Sequence, residues 1–298
     1  MVASVRAVFL LCLLLFGAAA EAAPVLDQEH APVGNFGALA VASDRTVFQT
    51  FTVGIAGALT RIEVQVARQP LTAENLDFSL WSTDAAGLPK VLLARASVPP
   101  SALGAPFSFP FVGFDLGSAV PVEEGDVLAI ALNSNERNDL PPPAPSTRYL
   151  WQYGGQYVRG AVSVQVGPVL SPQAEDLHFR TFVVPSIQVT LDVLRGDGDH
   201  IPPGSHGLLK VAILSTDSFD AALLDVSTLR FGSTGTEAVA VDARLRDVDG
   251  DRRADLVVQF RISDTGIQCG DTKVSISGMT VSGQPIHGSG AIATAGCK

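Results

Sequence analysis

The chain lacks a long apolar run beyond its first residues, and it has little helical periodicity anywhere. Nothing after residue 22 approaches the roughly 20 consecutive apolar residues that a membrane-spanning helix needs. Basic residues are scarce too, since 20 lysines and arginines stand against 30 aspartates and glutamates, for a formal net charge of −10. Such a chain has no electrostatic basis for binding nucleic acid or anionic lipid, whereas cation binding fits it. We therefore expect no transmembrane segment and no nucleic-acid partner.

Sequence motifs of the common enzyme classes are missing as well. There is no GxSxG nucleophile elbow, no HExxH zinc motif, no GxxxxGK[ST] phosphate loop and no GxGxxG before a helix. The five histidines are scattered, and the neighbouring Glu123 and Glu124 would face opposite ways in a strand. We therefore expect a protein that is not an enzyme and has no catalytic residues.

The first 22 residues have the pattern of a secretory signal peptide. Arg6 supplies the positive charge, Val8 to Phe16 form the apolar stretch, and small residues follow from Ala18 to Ala23. The pattern predicts a secreted protein, extracellular or at the cell surface, with the periplasm as an alternative.

Only three cysteines occur, and Cys12 would leave with the signal peptide. Cys269 and Cys297 would then remain in an oxidising compartment, which favours a disulfide between them. Closing a loop of that length is expected to stabilise the fold by roughly 3–4 kcal/mol. A zinc site is a poor alternative, because two thiolates without a CxxC pair lack the usual ligand spacing.

Short runs of alternating or β-branched residues recur between glycine, proline, asparagine and aspartate turn residues. One group of runs ends near Val184, and a second begins at Ile187. The predicted fold class is therefore all-β, with two β-sandwich domains after a signal peptide at 1–22. The first is jelly-roll-like and covers 23–185, and the second is immunoglobulin-like and covers 186–298.

Two segments between these runs are predicted to be irregular. The proline-rich interval from Asn135 to Thr147 cannot pair inside a sheet and is expected to be a stiff exposed loop. Residues Arg195 to Asp197 spell Arg-Gly-Asp, but a three-residue motif often occurs by chance, so a flexible turn is preferred. A secondary cation site at Asp197, Asp199 and a histidine is the alternative.

Tyr149, Trp151 and Tyr153 alternate with Leu150 and Gln152 in one predicted strand. Alternation places the three aromatic side chains on one face, where they could stack on a sugar. Gln152 could then form hydrogen bonds with that sugar. The alternative is that the rings cap the sandwich core. The strand is therefore a candidate ligand-binding surface, with a glycan or another cell-surface component as the candidate partner.

The densest cluster of acidic residues runs directly into the apolar strand that starts at Leu256. Four carboxylates at positions one, three, five and nine of a tight turn repel one another unless a cation lies between them, and calcium is the expected ion, with a structural role. The alternative is a solvated turn in which nearby arginines neutralise the acids as surface ion pairs. The predicted side-chain ligands are Asp247, Asp249, Asp251 and Asp255, and the arginines of the alternative are Arg244, Arg246, Arg252 and Arg253.

Both halves of the chain resemble modules of exported bacterial proteins. The segment from Val189 to Lys298, with VAILS at 211–215 and TGIQCGDT at 265–272, resembles a domain that recurs in secreted bacterial proteins. That resemblance implies a small β-sandwich with a calcium-type loop, a terminal disulfide and no enzymatic activity. The N-terminal segment, with TVFQTFTVG at 46–54 and DLHFRT at 176–181, resembles a β-sandwich module whose members look like jelly-roll carbohydrate-binding domains.

The acidic loop also resembles those of integrin-type propeller repeats and thrombospondin type 3 repeats. In those loops the seventh position supplies a backbone carbonyl, so the resemblance adds the carbonyl of Arg253 to the ligand set. One position differs, because Arg252 stands at the sixth position, where glycine is usual. If this residue needs a positive φ, the arginine costs about 1 kcal/mol and calcium affinity falls.

These observations predict a secreted, non-catalytic calcium-binding protein with a binding or adhesion role at the cell surface or in the extracellular matrix. Two alternatives stay open. An extracellular polysaccharide hydrolase would need two carboxyl groups roughly 5–10 Å apart across a concave sheet. A purely structural envelope component would neither retain nor cleave sugars.

Overall fold

A computed structural model of the chain describes residues 22–34, 36–136, 147–194 and 200–296. The predicted signal peptide up to residue 21, most of the proline-rich loop, the Arg-Gly-Asp stretch and Cys297 lie outside these ranges. Within them, no helix has the length and apolar character needed to cross a membrane.

Strands account for nearly all the regular structure in these ranges, which confirms the all-β prediction. The strand Gly57–Arg68 shows why: Val64 and Val66 are buried while Gln65 between them is half-buried, a period of two residues that only a strand with one covered face produces. The helical elements among the described residues are short 3-10 turns at Pro100–Leu103, Ala221–Leu223 and Ile262–Asp264.

The N-terminal region consists of two six-stranded sheets. Its strands in chain order are β1 Val25–His30, β2 Gly37–Val41, β3 Arg45–Thr52, β4 Gly57–Arg68, β5 Leu76–Thr83, β6 Pro89–Val98, β7 Phe111–Val122, β8 Val127–Ser134, β9 Tyr149–Tyr153, β10 Val162–Val166, β11 Val169–Pro172 and β12 Phe179–Pro185. The first sheet has the order β1-β12-β4-β9-β2, with β7 also paired to β4. The second has the order β11-β10-β3-β8-β5-β6.

These two sheets pack face to face around one cluster of buried side chains. Phe78 of β5 stacks on Phe114 of β7 with ring centroids 4.8 Å apart, and Phe51 of β3 meets Phe179 of β12 at 5.8 Å. Each pair joins one sheet to the other, so the N-terminal region is a β-sandwich, as predicted.

The C-terminal region is a closed barrel. Its strands are β13 Ile187–Leu194, β14 Leu208–Leu214, β15 Leu224–Gly232, β16 Ala238–Arg246, β17 Asp255–Arg261, β18 Lys273–Thr280 and β19 Pro285–Ala291. They follow the order β13-β14-β17-β16-β15-β18-β19, and parallel pairing of β13 with β19 closes the barrel. Inside it, Phe231 stacks on Phe260 with centroids 4.9 Å apart.

The barrel differs from the immunoglobulin-like sandwich expected for this region. The difference lies in β19, whose sequence PIHGSGA has weak strand propensity and was not predicted as a strand. Its Gly288 lies so close to β13 that an added Cβ would stand 2.7 Å from the carbonyl oxygen of Val189. Glycine therefore permits the close approach that turns an open sheet into a barrel.

The two regions have separate cores and join at Ser186. The backbone N–H and the hydroxyl of Ser186 both donate to the carbonyl of Ala56, at 3.0 Å and 3.3 Å. Among the described residues, no strand of one region pairs with a strand of the other. The domain boundary itself remains a prediction, and this change of sheet and core is consistent with it.

Candidate metal centre

The acidic loop connects β16 to β17. Arg246, the last residue of β16, pairs with Asp255, the first residue of β17, so the two ends of the loop lie side by side. A loop closed in this way brings its first and ninth positions near one another, although eight peptide bonds separate them along the chain.

Three of the predicted ligands converge. One carboxylate oxygen from each of Asp247, Asp249 and Asp255 lies within 4.8 Å of the other two. Asp247 and Asp249 are exposed, whereas Asp255 is completely buried. Unit charges at this separation repel by roughly 3 kcal/mol per pair at an effective dielectric constant of about 20. The cluster therefore favours a bound cation.

The two exposed carboxylates also shape the loop backbone. Asp247 accepts hydrogen bonds from the N–H groups of Gly250 at 2.7 Å and Arg252 at 3.1 Å. Asp249 accepts one from the N–H of Asp251 at 3.1 Å. Because each carboxylate has about four lone-pair sites, oxygen lone pairs remain for a metal after these bonds are made.

Asp255 anchors the loop to the barrel. Its two carboxylate oxygens accept from the N–H groups of Ser215 and Val248, both at 2.8 Å. The hydroxyl of Ser215 in turn donates to the carbonyl of Ala254 and accepts from the N–H of Ala221. Sequence reasoning did not find Ser215, because its contact with Asp255 depends on β14 lying beside β17.

Asp251 does not join the cluster, contrary to the prediction. Its carboxylate accepts from the backbone N–H of Arg253 at 2.7 Å and pairs with the Arg253 guanidinium at 2.6 Å, and that guanidinium also pairs with Asp217. The backbone hydrogen bond and then the guanidinium hold the pKa of Asp251 below its usual value. Neutralisation by arginine, the alternative to a metal, therefore applies at Asp251. A role for the Arg253 carbonyl as a ligand stays a prediction.

Arg252 adopts the backbone conformation that makes glycine usual at its position. Its φ is 72°, in the left-handed region, and Gly250 has a φ of 82°. The expected cost of a side chain there, about 1 kcal/mol, therefore applies to Arg252.

The aromatic strand is not a sugar-stacking face. Tyr149 and Trp151 are completely buried in the sandwich core. The Tyr149 hydroxyl donates to the carbonyl of Glu74 at 2.6 Å, and the Trp151 indole N–H donates to that of His178 at 3.0 Å. Tyr153 alone stays partly exposed. The rings cap the core, which was the alternative, and this corrects the prediction for Tyr149 and Trp151.

Gln152 faces the other side of β9, where it is 8% exposed beside His178 at 1%. The Oε1 of Gln152 and the Nε2 of His178 have no hydrogen-bond partner among the described residues. His178 Nδ1 lies 2.9 Å from Gln65 Oε1, and Gln65 donates its amide to Phe109, so Nδ1 carries the proton. Burial, and then the nearby His30, lowers the pKa of His178 to about 4. Both free atoms are acceptors, and both are buried, so a single ordered water suits them and a sugar could not reach them.

The predicted disulfide stays a prediction, because Cys297 lies outside the described residues. The chain before it runs beside the turn that carries Cys269. The N–H of Gly270 donates to the hydroxyl of Thr294 at 2.9 Å, and the N–H of Ile292 donates to the carbonyl of Thr272 at 2.9 Å. This proximity supports the pairing.

The sequence matches no protein-family model and shows no significant similarity to a curated protein. The resemblances noted from the sequence therefore stay predictions, and the geometry of the loop carries the functional argument.

Proposed function

We propose that the acidic loop binds one calcium ion, which stabilises the barrel of a secreted, non-catalytic binding protein. The observation that carries this proposal is the convergence of Asp247, Asp249 and Asp255 within 4.8 Å. Within the described part of the chain, none of these three carboxylates pairs with lysine or arginine. Backbone N–H groups offset part of their charge, and the repulsion that remains favours a cation.

The donor set favours calcium over other divalent metals. All of the candidate ligands are oxygens, two of them on exposed residues of the turn, and calcium accepts six to eight oxygens in flexible geometry, including water. Magnesium demands a near-ideal octahedron, and zinc prefers nitrogen and sulfur ligands. Binding would connect the exposed end of the loop, through Asp255, to Ser215 at the end of β14.

The binding or adhesion role is the wider part of the proposal. It rests on the predicted signal peptide, the lack of enzyme motifs in the sequence and the predicted disulfide. The burial of Tyr149 and Trp151 removes the aromatic surface on which glycan stacking was expected. Glycan recognition would therefore have to use another part of the surface.

Calorimetric melting of the mature chain tests calcium binding. We expect the melting temperature to rise with free calcium, by the equivalent of about 2.7 kcal/mol at one hundred times the dissociation constant, and to rise little with magnesium. Titration calorimetry should give one ion per chain.

Matched variants separate the loop from general charge effects. Asp249→Asn should abolish the calcium response, whereas Asp264→Asn, an exposed acid elsewhere on the barrel, should retain it. An unchanged melting temperature in calcium would refute the proposed site, and loss of the response in Asp264→Asn would place the ion elsewhere.

A further inference from the structure

A cleft of about 430 Å³ lies where the sandwich meets the barrel. Its sandwich wall comes from the start of β4 and the end of β7, and its barrel wall from β15, β18 and β19. The lining combines apolar side chains, among them Pro121, Val122, Met279 and Ile286, with serine and threonine residues of the barrel wall. This volume falls within the range of small-molecule sites, which often lie at such junctions.

Arg230 is the positively charged residue of the cleft lining. The pairing of β15 with β18 shifts register between Asp225 and Arg230, so β15 bulges beside the cleft. The Nη1 of Arg230 donates to the carbonyls of Ser227 at 3.1 Å and Leu229 at 2.9 Å. The bulge therefore holds the guanidinium in a fixed orientation.

The other edge of that guanidinium is uncommitted. Among the described residues, Nε and Nη2 of Arg230 make neither a hydrogen bond nor an ion pair. Neither atom is buried, so both remain accessible to a ligand. The Nε and Nη2 hydrogens point the same way, which is the fork that binds both oxygens of one carboxylate. An arginine fixed on one side and open on the other is organised for an anion.

We propose that this cleft binds a small aliphatic carboxylic acid, with its carboxylate on Arg230 and its hydrocarbon chain against the apolar lining. The carboxylate supplies the two acceptors that the guanidinium edge lacks. The lining described above has no phenylalanine, tyrosine or tryptophan ring on which a planar ligand would stack, so an alkyl chain fits it better than a planar ring.

The opposite wall carries a negative charge that does not compete for Arg230. Glu123 lies with its carboxylate 3.2 Å from Nδ1 of His287, and its side chain is 58% exposed. Among the described residues Glu123 makes no ion pair with Arg230, and His287 Nδ1 makes no hydrogen bond to it despite the short distance. Because the Glu123 side chain is more than half exposed and therefore well solvated, a ligand ammonium would gain little from it, and a carboxylate on Arg230 is the better fit.

Titration calorimetry of the mature protein with octanoate, octanol and octylamine tests the proposal. We expect saturable binding of one octanoate, binding of octanol that is weaker by about ten-fold or more, and none of octylamine. Measuring in calcium and again in chelator separates this site from the metal loop, because the cleft contains none of the loop residues.

Three variants decide whether the cleft and its arginine are responsible. Arg230→Gln should weaken octanoate about ten-fold or more while leaving octanol unchanged. Ala119→Leu, which fills the cleft from a half-buried position, should abolish both, and Arg244→Gln, an exposed arginine of β16, should alter neither. Equal octanoate affinity in wild type and Arg230→Gln, equal weakening by Arg244→Gln, or the absence of saturable binding would overturn the proposal.

Discussion

The acidic loop and strand β9 hold their polar groups in opposite ways. In β9 the hydroxyl of Tyr149 and the indole N–H of Trp151 are buried, and each donates to a backbone carbonyl. In the loop, the carboxylates of Asp247 and Asp249 also accept backbone N–H groups, but both are exposed, and an oxygen of each lies within 4.8 Å of the other and of Asp255. A buried polar group that is satisfied by the backbone serves the fold, whereas carboxylates held this close keep a mutual repulsion that a bound cation would relieve.

The largest expected effect comes from removing a buried ring of β9. Trp151→Ala loses the packing of a fully buried indole and its hydrogen bond to His178, so unfolding free energy should fall by about 3–5 kcal/mol. Urea denaturation measures the loss. Trp81→Ala, whose indole is only partly buried and bonds to Ser79, should cost less than half as much. If Trp151→Ala lowered the unfolding free energy by less than about 1 kcal/mol, the ring would not be part of the core, and β9 would again be a candidate ligand-binding surface.

The same part of the fold should produce a dependence on pH. The pKa of His178 is lowered to about 4 in the folded chain, from about 6.5 when unfolded. The unfolded chain therefore takes up a proton first as pH falls, so stability should decrease from about pH 6.5 to about pH 4, by up to about 3 kcal/mol.

His178→Asn isolates this contribution, because its amide can still donate to Gln65. Denaturation at about pH 7 and about pH 4.5 should show a smaller loss in the variant than in wild type. His206→Asn, at an exposed position, should behave as wild type. An equal loss of stability in wild type and both variants would mean that His178 does not cause the decrease between about pH 7 and about pH 4.5.

Asp255 tests whether the buried end of the loop serves the fold or only the metal. Asp255→Asn places an amide N–H against the N–H of Ser215 or Val248, so we expect a loss of about 2 kcal/mol even in chelator. Asp249→Asn should change stability in chelator by less than about 0.5 kcal/mol and act only on the calcium response. If Asp255→Asn and Asp249→Asn lowered stability equally in chelator, Asp255 would not be distinguished from Asp249 as the residue that anchors the loop to the barrel.

The smallest effect is expected at Arg252. Arg252→Gly relieves a left-handed conformation but adds freedom to the unfolded chain, for a net gain of about 0.5 kcal/mol and tighter calcium binding. Gly250→Ala, at a φ of 82°, should instead lose about 1 kcal/mol. Thermal melting should show a higher melting temperature for Arg252→Gly and a lower one for Gly250→Ala. If both variants shifted the melting temperature in the same direction, the left-handed backbone conformation would not explain their effects.

Period-two alternation located most of the strands that the sequence suggested. The strand predicted from the alternation of Tyr149, Trp151 and Tyr153 is present as β9, Tyr149–Tyr153. Alternation indicates which side chains share a face of a strand, but not whether another sheet covers that face. For this reason the pattern of Tyr149, Trp151 and Tyr153 fitted both a sugar-binding surface and a core. β19 escaped prediction because its glycines serve a contact with β13 that only the folded barrel contains.

The acidic loop was predictable as a turn with converging carboxylates. Spacing alone could not separate Asp251 from the other three acids. Asp251 stays outside the carboxylate cluster because its side chain pairs with the guanidinium of Arg253, which also pairs with Asp217. The loop resemblance raised a positive φ at Arg252 only as a condition, and the structure has it. The cleft and Arg230 had no sequence signal, because they arise where two regions meet.

The parallel pairing of β13 with β19 has a consequence for how the barrel forms. These are the first and last strands of the region, so the ring depends on a contact of high sequence separation, a topology that slows folding. Until the final strand is in place, β13 and β18 each expose an unpaired edge of backbone amides and carbonyls, which is a template for association with other chains. The segment that completes the barrel is therefore also the one that protects the newly made chain from aggregation.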